Sequence, residues 1–229
     1  MQLMSLNVAR PLSVEYTDAD GGVTGCDKRP VPGPLRIVAP GPKGRGASGV
    51  EGDAVCDLRH HGGDHKAVYA YAREDLDWWE AELGRPLPAG VFGENFTTSG
   101  LDVTGARLGE RWRVGAELVL EVASARIPCR TFQGFLGEPG WVRRFTREVR
   151  PGAYLRVIQE GQVSPGDPIE VLHRPGHEVS VGFWFRAFTT ERALLPRTRA
   201  AGDAMDPSGH EKVRSYLDKL GDEGAGARG

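Results

Sequence analysis

Glycine and proline set the first limit on this chain. It carries 32 glycines and 16 prolines in 229 residues, roughly a fifth of the total against an average nearer 12%. Glycine weakens a helix interior, and proline both removes a donor there and clashes with the preceding turn. So much punctuation disfavours a long-helix bundle and favours many short elements joined by turns. The length suits one domain of about 150 residues plus a small appendage. Such a chain buries a sizeable core without metal or disulfide staples. Lys+Arg is 29 and Asp+Glu is 31, a net charge of −2. That balance argues against a dedicated nucleic-acid binder, which shows a basic excess. With 39% hydrophobic and 26% charged residues, the composition is that of a soluble globular protein.

The punctuation divides the chain into readable pieces. Residues 1–72 suggest short strands at Leu35–Val38 and Ala67–Tyr71, separated by turn clusters such as Pro40-Gly41-Pro42. Glu74–Leu83 reads as a helix, with Leu76, Trp79 and Leu83 on one face and Gly84 and Pro86 as its stop. Arg111–Val122 reads as one strand, with Leu118, Leu120 and Val122 on its apolar face. Glu138–Val149 suits a short helix with Pro139 in its first turn. Ala153–Ile158 and Pro168–Leu172 read as paired strands around a Pro165-Gly166 turn.

A change of character near Arg174-Pro175-Gly176 divides 1–175, a β-rich domain expected to form a closed or nearly closed barrel with short helices, from 176–220, a small helical domain. The last helix shows a Ser208/Glu211 capping box, an apolar face of Val213, Tyr216, Leu217 and Leu220, and a stop at Gly221. The remainder, 221–229, reads as a disordered tail. The aromatic run Phe183–Phe188 serves equally as core packing or as the interface of a homodimer.

Three cysteines, Cys26, Cys56 and Cys129, are odd in number and scattered, which excludes a disulfide framework and suits a reducing, cytoplasmic setting. No stretch of about 18 apolar residues is present to span a membrane. The N-terminal MQLMSLNVARP has no basic segment before its apolar residues and does not read as a signal peptide.

Cys129 follows the apolar strand in Arg126-Ile127-Pro128-Cys129-Arg130. Flanking arginines favour thiolate, the form that attacks electrophiles or binds soft metals, and Pro128 fixes the direction in which the chain leaves the strand. A buried structural cysteine is the alternative. Cys56, His60, His61 and His65 are metal-competent, but their spacing matches no common structural zinc site and His61-Gly62-Gly63 breaks any helix that would align them. The glycine pair beside a histidine and Lys66 does allow close backbone approach to an anionic ligand. Gly93-Glu94-Asn95-Phe96 forms a polar loop able to line a ligand. Asp75 and Asp77 look like the solvated side of their helix. No dinucleotide fingerprint, Walker sequence or nucleophile elbow is present.

The order of these pieces is familiar. Thr24-Gly25 with Lys28-Arg29-Pro30-Val31 is followed by Glu51-Gly52-Asp53, His61-Gly62-Gly63-Asp64-His65-Lys66-Ala67-Val68-Tyr69 and Gly93-Glu94-Asn95-Phe96-Thr97. Gly109-Glu110-Arg111-Trp112, Arg126-Ile127-Pro128-Cys129 and Gly166-Asp167 complete the set. Over about residues 20–173 the chain resembles the MOSC domain family, named for the C-terminal part of molybdenum-cofactor sulfurases, in its bacterial YiiM-like branch. Val181–Leu220 is similar to the helical segment often attached to that branch. Glu110 departs from the usual Asp of its element, with only a small turn effect expected.

The resemblance implies a MOSC-type β-barrel and a molybdenum cofactor held in a pocket. It further implies reduction of small N-hydroxylated bases or amines with electrons from a separate reductase; pyridoxal phosphate binding is also associated with the family. Carried over, Cys129 would be the catalytic residue and molybdenum ligand. His61, Gly62, Gly63, Lys66, Glu94 and Asn95 would surround the pterin and substrate, while Lys28, Arg126 and Arg130 would meet its charged groups. A cofactor or sulfur carrier using a Cys129 persulfide, without redox turnover, is the competing function.

Overall fold

A computed structural model describes residues 1–226, with side chains described through Leu220; the tail expected at 221–229 lies outside those side chains, and 227–229 lie outside the described residues altogether. Among the described residues, twelve short strands answer the glycine and proline count. They are β1 (Gln2–Ala9), β2 (Leu12–Ser13), β3 (Val23–Thr24), β4 (Lys28–Val31), β5 (Leu35–Ile37), β6 (Val68–Ala72), β7 (Phe96–Ser99), β8 (Arg111–Val114), β9 (Leu118–Ala125), β10 (Ala153–Gln159), β11 (Gly161–Val163) and β12 (Ile169–His173). Five α-helices accompany them among the described residues: α1 (Arg73–Leu83), α2 (Arg130–Leu136), α3 (Trp141–Glu148), α4 (Val181–Thr189) and α5 (Pro207–Gly226), with 3-10 turns at Asp20–Gly22, Asp64–Lys66 and Arg192–Ala204.

Eight strands form one sheet in the order β12-β8-β9-β10-β6-β7-β1-β4. Its pairs are antiparallel except β6–β7, which is parallel because α1 supplies the crossover that parallel neighbours require. The expected barrel is not closed: β4 and β12 remain as edges. The sheet does curl, so that Leu3 N donates to Asp167 O at 2.9 Å and Gly166 N to Leu3 O at 2.7 Å. Pro168 stands at the bridge to Gln2, and proline has no N–H with which to continue a ladder.

Several other readings change. The single strand expected over Arg111–Val122 is a hairpin, β8 and β9, turning at Gly115 with φ 64°. β10 and β12 do not pair with each other; β10 lies between β9 and β6, and β12 joins β8. α3 starts at Trp141, after Gly140 in the left-handed region, so Pro139 precedes it. Asp75 is buried and paired with Arg150, while Asp77 is the exposed one. The cap of α5 is Asp206, whose Oδ1 accepts from Gly209 N at 2.7 Å and Ser208 Oγ at 2.6 Å. α5 runs past the expected stop at Gly221 to Gly226.

α1 follows the sequence closely. Leu76 and Trp79 are fully buried, and Gly84 at φ 65° closes the helix by donating to Glu80 O. Trp79 meets Trp141 with ring centroids 4.5 Å apart. Phe92 packs edge-on against Phe132 at 5.2 Å and Trp141 at 5.5 Å. These pairs prefer tilted or edge-to-face geometry, worth about 0.5–1.5 kcal/mol each beyond area burial. The cluster fixes two elements that matter below: α2 through Phe132, and the loop before β7 through Phe92. Phe183, Trp184, Phe185 and Phe188 of α4 are buried in the same core, so the aromatic run packs within this chain. Among the described residues no helix is long and apolar enough to cross a membrane.

Candidate functional site

The end of β9, the start of α2 and the loops before β4, β6 and β7 converge on one cavity of about 100 Å³. Cys129 lies at its wall, in extended conformation (φ −130°, ψ 171°) immediately before α2. Arg126 leaves β9 and is 5% exposed. Its Nη1 donates to Phe92 O, its Nη2 lies 3.9 Å from Cys26 Sγ, and its guanidinium stacks 4.0 Å from the Phe132 ring centroid. Its Nε is buried with no hydrogen-bond partner. Among the described residues no carboxylate pairs with it. Burial works against its charge, but the Cys26, Tyr69, Tyr154 and Cys129 groups around it outweigh that and hold its pKa above the ordinary value. The result is a buried cation facing a cavity, an arrangement that calls for negative charge from a ligand or a thiolate.

His61, Gly62, Lys66, Asn95 and Lys28 also line this cavity. Burial, then Arg126 and Lys66, pull the His61 pKa down to about 3, so its imidazole is neutral at physiological pH. Lys66 Nζ donates to His60 O at 2.7 Å and lies 5.4 Å over the Tyr154 ring. Burial lowers its pKa as well. Lys28 is turned to Asp53, and Asp53 Oδ2 accepts from Asn95 Nδ2 at 2.9 Å. Lys28 and Asn95 are thus brought together, with the lysine's charge already matched. Gly62 sits at φ 73°, where a Cβ would lie 2.5 Å from Ala47 O. Its bareness lets this loop pack on the 41–47 segment.

Three expected site residues stand elsewhere. Glu94 is fully buried outside the cavity, and its carboxylate accepts from Gly90 N at 2.6 Å, Phe92 N at 3.0 Å and Thr97 Oγ1 at 2.9 Å. It shapes the loop that carries Gly93 to the wall. Gly63 turns away from the cavity toward Lys43. Arg130 points outward and pairs with Asp18 at 2.7 Å, both side chains being largely exposed. Of the two arginines flanking Cys129, only Arg126 faces the cavity.

Cys26, Cys56, Tyr69 and Tyr154, none of them assigned to the site from the sequence, also line the wall. Cys26 lies inside the Thr24–Lys28 motif, which was its one available signal. Burial raises the Cys26 pKa, with Arg126 pulling the other way. Of the Cys56, His60, His61 and His65 run, Cys56 and His61 line the cavity and His60 and His65 do not; among the described residues, no three His, Cys, Asp or Glu side chains are grouped as metal ligands. Glu110 is buried and accepts from Trp112 Nε1 at 2.9 Å and Arg174 Nε at 2.7 Å, so it locks the turn before β8.

The sequence profile of the MOSC domain matches residues 57–170. The uncharacterized protein YflK of Bacillus subtilis (strain 168) is 35% identical over 181 residues, covering 79% of this chain and 77% of YflK. A protein named reductase from Gibberella moniliformis is 32% identical over 145 residues, 62% of this chain but only 26% of that protein. Among solved structures, YiiM from Geobacillus stearothermophilus superposes with a TM-score of 0.74 at 27% identity, covering 94% of this chain and 98% of that one.

Proposed function

This chain belongs to the MOSC domain family and is YiiM-like, and from that premise we propose that it is a molybdenum-cofactor-dependent oxidoreductase that reduces small N-hydroxylated bases or amines. The observation that carries the reading is that Cys129 and the buried Arg126 line one cavity. A thiolate is a soft donor suited to molybdenum, and a buried guanidinium with a free Nε suits an anionic ligand. The donor chemistry therefore fits the cofactor. The reductase name of the fungal relative supports the reaction class.

The bound cofactor supplies two-electron oxygen chemistry at its metal. The protein supplies the rest. Cys129 provides the sulfur ligand, and α2 fixes its direction through Phe132. Arg126 and Lys66 hold negative charge, with Lys66 kept in place by His60 O. Neutral His61 offers a hydrogen bond to the bound group without adding a further positive charge beside Arg126 and Lys66. The Asp53–Asn95 pair holds the loops around the opening together. A separate reductase provides the electrons.

The test is reduction of an N-hydroxylated base by protein made in a cofactor-competent host, with reduced viologen as electron donor. Cys129→Ser, folded by circular dichroism, should lose activity. Full activity in that variant overturns the assignment, and a persulfide on Cys129 with no turnover favours sulfur carriage instead.

A further inference from the structure

Two thiols, rather than one, share the cavity wall with the buried guanidinium, and both act on its charge. Cys26 follows β3 and Cys129 follows β9, and the fold brings them from distant parts of the chain to the wall of the same cavity. Cys26 is 9% exposed, and its Sγ lies 3.9 Å from Arg126 Nη2. Its backbone is fixed by a 3.2 Å hydrogen bond from Cys26 N to Thr24 Oγ1. Gly93 leaves the space beside both groups open: a Cβ there would stand 3.1 Å from Arg126 Nη1 and 3.7 Å from Cys26 Sγ. Arg126 Nε, buried and unpartnered, is the independent sign that something anionic belongs here. Cys56 also lines the cavity, but the thiols whose charge weighs most on Arg126 are Cys26 and Cys129.

We infer that Cys26 is a second thiol donor of this site, forming with Cys129 a dithiol that grips a thiophilic centre beside Arg126. Two sulfur–metal bonds would replace two S–H bonds, the two protons passing to solvent, and the negative charge left on the sulfurs would lie beside the guanidinium. The inference rests on the cavity being a soft-metal site, but its test does not require molybdenum.

Phenylarsine oxide is the probe, applied to metal-free protein. Two S–As bonds form as the As–O double bond breaks, and the two thiol protons leave with the oxygen as water. Arsenic stays trivalent, so no electrons are exchanged. One arsenical should bind per chain, resist excess monothiol, and be stripped by a dithiol. Alkylation followed by peptide mass mapping of the wild-type chain should then show Cys26 and Cys129 protected and Cys56 modified. Cys26→Ser and Cys129→Ser should each weaken retention by at least about a hundredfold, the advantage of a second linked contact, while Cys56→Ser should match wild type. Protection of Cys56 in place of Cys26, or loss of the arsenical to monothiol in wild type, overturns the inference. The wild-type map needs no variant, so a poorly folding Cys26→Ser does not obscure the result. Molybdenum content separates the two claims. If Cys129→Ser loses the metal but no arsenical is chelated, the dithiol falls and the proposed function stands. Chelation together with equal molybdenum in wild type and Cys129→Ser has the reverse meaning.

Discussion

Acid should loosen this fold through His61. Burial, with Arg126 and Lys66 beside it, pulls its pKa from the ordinary 6.5 to about 3. In the unfolded chain the imidazole returns to about 6.5. Between the two values the unfolded state binds the proton and the folded state does not. Stability therefore rises with pH across that window and is lost as pH falls through it. Going from about pH 7.5 to about pH 5.5 removes about 1.4 kcal/mol through this one group. The figure barely depends on the folded pKa so long as that lies well below the lower pH. For a chain of this size it corresponds to roughly 4 °C in melting temperature. The assay is urea or thermal unfolding of wild type and His61→Gln at both pH values. Other groups titrate in both proteins, so the informative quantity is the change in their stability difference. Wild type should lose about 1.4 kcal/mol relative to His61→Gln. Parallel pH profiles for the two proteins would refute the reasoning.

Glu94→Ala should cost about 3 kcal/mol in urea unfolding, because two buried backbone N–H groups and the Thr97 hydroxyl lose their acceptor; a loss below about 1 kcal/mol would show that the loop finds other partners. Arg130→Ala should change stability by less than about 1 kcal/mol, since its pair with Asp18 is solvent-exposed. It should also leave molybdenum content unchanged, and a metal-free Arg130→Ala would return that residue to the site.

Local pattern carried what is local. Leu76, Trp79 and the glycine after Leu83 specify α1 within a dozen residues, and the structure keeps all three roles. The hairpin β8–β9 was hidden for a specific reason. Trp112, Val114, Leu118, Leu120 and Val122 are all buried and stay in phase across the turn at Gly115, so two strands read as one. Pairing partners were invisible wherever they come from far away. β11 between β10 and β12 pairs with β5, which separates the two strands that sequence proximity would join. Asp75 looks solvated until Arg150 arrives from 75 residues on. Arg130 looks like a pocket residue until Asp18, 112 residues away, draws it outward.

The site divides in the same way. Arg126, Cys129, His61 and Lys66 were legible as motif residues, and the fold assembles them. Glu94 was legible as a motif residue but not as a scaffold. Its role depends on backbone N–H groups whose positions only the folded loop defines. Cys26 carried no local chemical signal, because what marks it is the neighbouring guanidinium from 100 residues away.

The most direct test is elemental analysis for molybdenum on protein purified from a cofactor-competent host, comparing wild type with Cys129→Ala. The account predicts metal bound to wild type and lost from the folded variant. Equal molybdenum in both would remove Cys129 from the metal and contradict the central claim.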